Sequence, residues 1–294
     1  MKMVLMGTGT SHGVPVIGCD CEVCKSSDQR DKRKRCSAYI FSPANIVIDT
    51  GPEFRMQALD FKIKSLDAVL ITHGHADHLN GLDDLRVFSH TKSVDPSNKK
   101  TNETAGPGLP IYTNAQTLAT IRKSFSYIFT PVVEGGSKPK LFFVDAAEYS
   151  QKNPLKIKGL EIVPVPLTHG STEATGWILK DSTDKGCIAY LTDCNSISDS
   201  SFDLLCSIGK IEHLVIDALR ENPHSTHFSF LEAMSAAEKI GPRHTWFTHL
   251  THNMFHTDVQ SYIDRNIEKF PLLKKICEEG GSVRPGYDGL VLEN

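Results

Sequence analysis

The most constraining feature of the sequence is a short segment that carries four potential metal ligands. The apolar run Ala68–Thr72 is typical of a buried strand, and the sequence HGHADH (residues 73–78) follows it directly. Imidazole and carboxylate groups are costly to bury without partners, so core packing gives no reason for this cluster. Such a donor set suits zinc, manganese, iron or nickel. The four candidate ligands are His73, His75, Asp77 and His78.

Three further residues of the ligand type occur in comparable settings. Each ends a short apolar run, and each is preceded by a threonine. These residues are His169, Asp193 and His249. Rigid ligands belong at the ends of elements that a sheet holds in place. Any one of them, taken alone, is equally consistent with a structural role. Together with the first segment they form a candidate set of seven ligands.

A second group of potential ligands lies near the N-terminus. Cys19, Cys21 and Cys24 fall within six residues, in a chain with eight cysteines. In a reducing compartment clustered cysteines more often bind metal than form disulfides, and zinc prefers four tetrahedral ligands. His252 is the favoured fourth ligand because it closely follows the last candidate ligand of the first set, and Cys36 is the local competitor. A redox role, or simple core packing of the thiols, is the alternative interpretation.

The order of apolar runs predicts sheets packed inside helices, in a single domain of residues 1–294. Helical spacing predicts helices at Thr226–Ile240, capped by Ser225 or Thr226, and at His256–Phe270, capped by Thr257. Residues 90–110 are rich in Ser, Thr, Asn, Lys, Gly and Pro, which predicts a loop insertion that is either a lid or a solvated surface loop. Strands are predicted at Lys2–Met6, Asn45–Asp49, Ala68–Thr72, Leu160–Leu167, Gly186–Thr192, His213–Asp217 and Thr245–Thr248.

Net charge and hydropathy restrict which partners and which cellular compartment the sequence predicts. The formal net charge of −3 argues against a strongly basic nucleic-acid-binding protein. No apolar run approaches the roughly 18 residues that a membrane span needs. The short apolar start of the chain runs directly into glycines, which indicates a first strand and not a signal peptide. The sequence therefore predicts a cytoplasmic protein with no membrane partner.

The seven-ligand pattern resembles that of the metallo-β-lactamase superfamily, in which H-x-H-x-D-H is followed by single His, Asp and His ligands. The resemblance covers essentially the whole chain. It implies an α/β fold, the αββα sandwich, in which two mixed β-sheets lie face to face with helices outside. Two divalent ions, Zn or Mn, roughly 3.5–4 Å apart would generate a bridging hydroxide at neutral pH and stabilise the developing charge. The implied ligands are His73, His75 and His169 for one ion, Asp77, His78 and His249 for the other, and Asp193 as the bridge.

Members of this superfamily hydrolyse β-lactams, thioesters or phosphodiesters, or reduce oxygen at a di-iron centre. The flavodiiron pattern carries Glu at the position of His75, which argues against that branch. Many β-lactamases carry Cys where Asp193 stands, which argues against them as well. The metal ligands alone do not exclude thioesterases of the glyoxalase II kind.

The cysteine segment narrows the resemblance further. C-x-C-x2-C after the sequence GTGTSHGVP (residues 7–15) is similar to the PhnP-like branch, the phosphoribosyl cyclic phosphodiesterases, whose core resembles that of tRNase Z. That branch implies one structural Zn, held by Cys19, Cys21, Cys24 and His252. It also implies an extra histidine as general acid between the bridging Asp and the last His. His227 aligns best, with His224 as the alternative, and a surface or capping role for both stays open. Asp217 can orient a metal-ligating histidine.

These observations predict a metal-dependent phosphodiesterase in which His227 and Asp77 have catalytic roles. The predicted partner is a small cyclic or sugar phosphodiester, and a homodimer is left open. A tRNase Z-like ribonuclease needs a basic arm that binds RNA. The segment of residues 92–100 contains only three lysines, Lys92, Lys99 and Lys100, so a nucleic-acid partner is not favoured. A thioester or lactone hydrolase is the other alternative. The complete ligand set argues against a binding module with an inactive site.

Overall fold

The apolar runs of the sequence form two β-sheets in the computed structural model, which describes residues 1–92, 106–131, 136–183 and 185–294. Every strand predicted above coincides with an observed strand. In chain order the strands are β1 (Lys2–Gly7), β2 (Ser37–Ser42), β3 (Ile46–Ile48), β4 (Ala68–Leu70), β5 (His90–Lys92), β6 (Leu109–Thr113), β7 (Ser137–Pro139), β8 (Leu141–Asp145), β9 (Leu155–Ile157), β10 (Leu160–His169), β11 (Thr172–Lys180), β12 (Cys187–Leu191), β13 (Ile211–Asp217), β14 (His244–Thr248), β15 (Ser282–Pro285) and β16 (Val291–Glu293).

Both large sheets contain seven strands and are mixed. The first has the order β16-β1-β2-β3-β4-β6-β8, and the second has the order β15-β14-β13-β12-β11-β10-β9. The first sheet is antiparallel from β16 to β3 and parallel from β3 to β8. The second sheet is parallel from β15 to β12 and antiparallel from β12 to β9. Strands β5 and β7 form a separate antiparallel pair.

Helices cover the outer faces of both sheets. They are α1 (Glu22–Lys25), α2 (Phe54–Asp60), α3 (Ala76–Leu79), α4 (Ala115–Ser124), α5 (Ser126–Phe129), α6 (Asp199–Ser207), α7 (Phe230–Ile240), α8 (His256–Asn266) and α9 (Pro271–Glu278). Short 3-10 helices occur at Gln29–Asp31, Leu82–Val87, Ala146–Glu148 and Ile267–Lys269. Helices α2 to α5 pack on the first sheet, and α6 to α9 pack on the second. A third core lies between the sheets. This arrangement confirms the predicted αββα sandwich.

The N-caps of both long predicted helices differ from those expected, and the first of these helices also begins later than predicted. Helix α7 starts at Phe230, with Ser229 as its N-cap, so the predicted caps Ser225 and Thr226 are wrong. Ser229 and Glu232 bond reciprocally to each other's backbone N–H groups, and this capping box satisfies two donors that an earlier start would leave open. Helix α8 begins at His256, after Phe255, so Thr257 lies inside the helix and does not cap it.

The predicted insertion at residues 90–110 is only partly covered. Residues 93–105 lie outside the described part of the chain, and with them Lys99 and Lys100. The ends of the predicted segment belong to β5 and β6. None of the helices that the structure describes combines the length and the apolar character that crossing a bilayer requires.

Candidate metal centre

The strands that precede the predicted ligands end at one edge of the sandwich. In the second sheet β12, β13 and β14 are parallel, and β10 runs in the same direction because two antiparallel steps separate it from β12. His169 is the last residue of β10, Asp193 follows β12, and His249 follows β14. The segment after β4 supplies the remaining ligands, with Asp77 and His78 in helix α3. All seven predicted ligand residues therefore meet at this edge.

Three histidines form the first ligand group. His75 Nδ1 lies 2.9 Å from His73 Nε2 and 3.2 Å from His169 Nε2. Ligand nitrogens bonded at 2.0–2.1 Å to a tetrahedral zinc ion stand about 3.3 Å apart. The spacing of these three nitrogens therefore fits a single metal ion.

A second group, of two histidines and two carboxylates, adjoins the first. His78 Nε2 lies 3.3 Å from Asp77 Oδ2 and 3.3 Å from Asp193 Oδ2. Asp193 Oδ1 lies 3.1 Å from His249 Nε2 and 3.9 Å from His73 Nε2. Asp193 therefore contacts both groups, as expected of a bridging ligand.

Two features of the second group fit a bound cation. His78 Nε2 and His249 Nε2 are buried and have no hydrogen-bond partner among the described residues, although buried polar atoms are nearly always paired. The backbones of Asp193 and His249 are left-handed, with φ of 55° and 62°. Such backbone costs a non-glycine residue about 1–3 kcal/mol and is found most often at functional sites.

The protonation states of these groups suit metal binding. Burial lowers the pKa of His73 well below its ordinary value and that of His169 to about 4, so both rings are neutral at pH 7. Burial raises the pKa of Asp193, but His249 and His78 outweigh it and hold that pKa well below its usual range. For His78 burial acts in the other direction and lowers the pKa, but the neighbouring carboxylates of Asp193 and Asp49 raise that pKa well above its ordinary value. The carboxylates thus create a negative site in which a metal cation can replace a proton.

Residues outside the ligand set hold the rings in place. His78 Nδ1 donates to Asp49 Oδ2 at 2.6 Å, and Asp49 also accepts from the backbone N–H and the hydroxyl of Thr72. His169 Nδ1 donates to the Thr226 carbonyl oxygen at 2.6 Å. These bonds direct each Nε2 toward the centre. Asp49 was not predicted as a site residue, although it ends a predicted strand just as the ligands do.

The structure brings one of the two candidate general acids to the centre. The His227 ring stacks on the His249 ring with centroids 4.4 Å apart, and it lies 4.6 Å from the His169 ring. His227 Nδ1 donates to Asp217 Oδ2 at 2.7 Å, and Asp217 also accepts from the Cys194 N–H. Asp217 therefore orients His227, and the expectation that it orients a metal-ligating histidine is wrong.

His224, the alternative candidate, lies at the surface. It is exposed, and its Nδ1 accepts a hydrogen bond from the Thr226 backbone N–H. The His227 side chain is only 11% exposed, and its ligand-type atom lies within 4.8 Å of those of His169 and Asp193. His227 is therefore the histidine placed to reach a bound substrate.

The cysteine group has the expected fourth member. His252 Nδ1 lies 3.4 Å from Cys19 Sγ, 3.5 Å from Cys21 Sγ and 3.3 Å from Cys24 Sγ. In a tetrahedral zinc site, bond lengths of 2.3 Å to sulfur and 2.0–2.1 Å to nitrogen place S and N about 3.5 Å apart. The competitor Cys36 lies elsewhere, fully buried with its Sγ 3.3 Å from Thr248 Oγ1. We call the group of Cys19, Cys21, Cys24 and His252 the cysteine knuckle.

Comparison with known proteins identifies the family. Residues 44–250 match the model of the beta-lactamase superfamily domain, which is well over half of the chain. The chain belongs to the metallo-β-lactamase superfamily. A crystal structure described as a new diphosphatase from the PhnP family is 35% identical, with a TM-score of 0.75, and the match covers 100% of this chain and 97% of that one. The chain is therefore a PhnP-like member of a hydrolase superfamily.

Other relatives show either the fold alone or a partial match. Zn²⁺-bound PqqB from Methylobacterium extorquens has a TM-score of 0.72 at 15% identity and full coverage of both chains. An octanoyltransferase of Porphyromonas gingivalis is 33% identical over 86% of this chain but only 46% of that protein. The chain thus spans less than half of the length of this curated relative.

Proposed function

We propose that the protein is a metal-dependent phosphodiesterase that acts on a small cyclic or sugar phosphodiester. The observation that carries this proposal is the pair of adjoining ligand groups joined by Asp193, with His227 beside them. We propose two divalent ions, Zn or Mn, in the ligand groups and one structural Zn in the cysteine knuckle. The PhnP-family neighbour, which is described as a diphosphatase, supports a phosphoryl substrate.

Each part of the centre has a task in this chemistry. Two adjacent cations, held by His73, His75 and His169 and by Asp77, His78 and His249 with Asp193 between them, would supply a nucleophile from water at neutral pH and would neutralise charge on the attacked phosphoryl group. The side chain of Asp77 is 13% exposed, and its carboxylate would accept the proton of the attacking water. His227 donates a proton to the leaving oxygen, while Asp217 holds its Nδ1–H and leaves Nε2 free for the substrate.

Hydrolysis of a simple phosphodiester tests this proposal. Purified protein supplied with Mn²⁺ or Zn²⁺ is expected to hydrolyse bis(p-nitrophenyl) phosphate, and a chelator is expected to abolish the activity. A panel that also contains a thioester, a lactone and a precursor tRNA separates the alternatives. If metal-loaded protein turns over no phosphodiester, or prefers the thioester or the lactone, the proposal is wrong.

The role of His227 predicts a dependence on the leaving group. His227→Ala is expected to slow hydrolysis of an alkyl phosphodiester by about 10²–10⁴-fold, which is the usual contribution of general acid catalysis. Hydrolysis of the p-nitrophenyl ester should change far less, because p-nitrophenolate departs without a proton. His224→Ala is the matched control, since that ring is exposed, hydrogen-bonds to Thr226, and lies beside His227 with the ring centroids 5.4 Å apart. Equal losses on both esters would assign His227 a structural role.

A further inference from the structure

The core between the two sheets thins out toward the metal centre. In the half of β10 and β11 farther from the centre, large apolar side chains fill the space between the sheets. These are Leu160, Ile162, Trp177 and Leu179. In the half nearer the centre, the positions on the same faces carry smaller or polar side chains. These are Pro164, Pro166, Thr168, Glu173 and Thr175.

The opposite wall is also built of small residues. After β8, at the edge of the first sheet, the chain forms the 3-10 helix with Ala146 and Ala147, followed by Tyr149. Because facing sheets stand about 10 Å apart, small side chains on both walls leave a gap. The result is a cavity of about 850 Å³, which lies within the range of roughly 300–1,000 Å³ that is typical of small-molecule sites.

This cavity lies beside the strand ends that lead into the first ligand group. Thr168, which lines it, directly precedes His169. Thr175, on the neighbouring strand, donates its backbone N–H at 2.8 Å to the carbonyl oxygen of Thr72, the residue before His73. A molecule whose phosphoryl group lies at the metal centre can therefore place its remaining part in the cavity.

The chemistry of the walls selects the kind of group that fits. Lys152 and Glu173 are the charged residues of the lining, and their opposite signs give no net charge for a second phosphate. Proline rings from β10 and the Tyr149 ring offer flat apolar surfaces, on which planar rings pack well. Polar side chains such as Ser150 and Gln151 lie around the same space and can meet hydrogen-bonding edges.

We propose that this cavity is a subsite for the heterocyclic base of a nucleotide-like substrate. The proposal rests on the phosphodiesterase function proposed above. It concerns the base of the substrate, whereas the metal centre acts on the phosphoryl group. In this proposal Ala147 and Tyr149, which line the cavity, determine the specificity for the base of the substrate.

A pair of esters with the same leaving group tests the subsite. The wild-type protein is expected to hydrolyse the p-nitrophenyl ester of thymidine 5′-monophosphate with a kcat/KM at least tenfold higher than that of methyl p-nitrophenyl phosphate. Ala147→Trp, which fills the cavity from an exposed position, should remove this preference. Ala119→Trp, at an exposed position on α4, is the matched control and should keep it. Equal kcat/KM values in the wild type, or an unchanged preference in Ala147→Trp, would overturn the proposal.

Binding of thymidine alone gives a readout that does not depend on turnover. Calorimetry on metal-loaded protein should detect thymidine, with affinity at least tenfold weaker in Ala147→Trp and in Tyr149→Ala, a second variant that removes the stacking ring without adding bulk. If thymidine binds in this way but no phosphodiester is hydrolysed, the subsite stands and the proposed function fails. If wild-type protein hydrolyses phosphodiesters but binds octanoate in the cavity and not thymidine, the subsite proposal is wrong.

Discussion

Asp193→Asn is expected to lower phosphodiester turnover by at least about a thousandfold, which corresponds to about 4 kcal/mol of transition-state stabilisation. The Asp193 carboxylate lies 3.1 Å from His249, 3.3 Å from His78 and 3.9 Å from His73, so it joins the two ligand groups. Asparagine has almost the same shape but lacks the charge that holds two cations together. Because Asn tolerates the left-handed backbone at this position, the fold should persist.

Metal content and turnover must be measured together on this variant. The expected result is loss of one or both active-site ions while the metal of the cysteine knuckle remains bound. Asp203→Asn, which removes the same charge from an exposed position on α6, is the matched control and should retain full activity. An Asp193→Asn protein with both ions bound and near-normal turnover would contradict the bridging role.

Cys21→Ser is expected to remove about one metal ion per chain and to lower the free energy of unfolding by about 3 kcal/mol or more, because the binding energy of a structural zinc contributes to folding. For a chain of this size that loss corresponds to a melting temperature lower by roughly 5 °C. The apolar cluster at the knuckle has only Val14, Val23 and Cys24 as buried members, which is little core to hold the segment without metal. The Cys24 N–H and the neighbouring His252 lower the pKa of Cys21 to about 6, which favours the thiolate that zinc requires.

The outcome for the other two ions separates the two sites. Cys21→Ser should keep both active-site ions and measurable turnover per folded molecule, because the Cys21 Sγ contacts His252 and Cys24, which are themselves members of the knuckle. Cys206→Ser, at an exposed cysteine, is the control for loss of a thiol. Loss of all metal together, or of none, would show that the knuckle is not an independent site.

The candidate ligands were predictable because their chemistry is local in the sequence. Four of them follow one strand within six residues, and the knuckle cysteines lie within six residues of each other. The strand pattern placed His169, Asp193 and His249 at strand ends, and strands that run in the same direction end at one edge of a sheet. Choosing His252 over Cys36 needed only its position shortly after His249.

Other parts of the site depend on contacts between distant segments. Asp49 became visible as the partner of His78 only when β3 and β4 paired. The sequence already favoured His227 over His224, but the hydrogen bond from His227 to Asp217 and the stacking of its ring on His249 became visible only in the tertiary structure. The start of helix α7 at Phe230 was missed because the Ser229–Glu232 capping box outweighed the earlier capping residues.

The sequence by itself determined which side chains are available as ligands, since the chemical type of a side chain does not depend on its surroundings. The resemblance to the superfamily implied how those donors divide into two groups and that Asp193 joins them, and the interatomic distances in the structure agree with that division. Only the tertiary structure showed that Asp49 orients His78, that Asp217 orients His227, and that small side chains on β10, on β11 and after β8 leave a cavity beside the centre. The physical reason is that burial, distance and packing arise between segments far apart in the chain, and a linear pattern does not contain them.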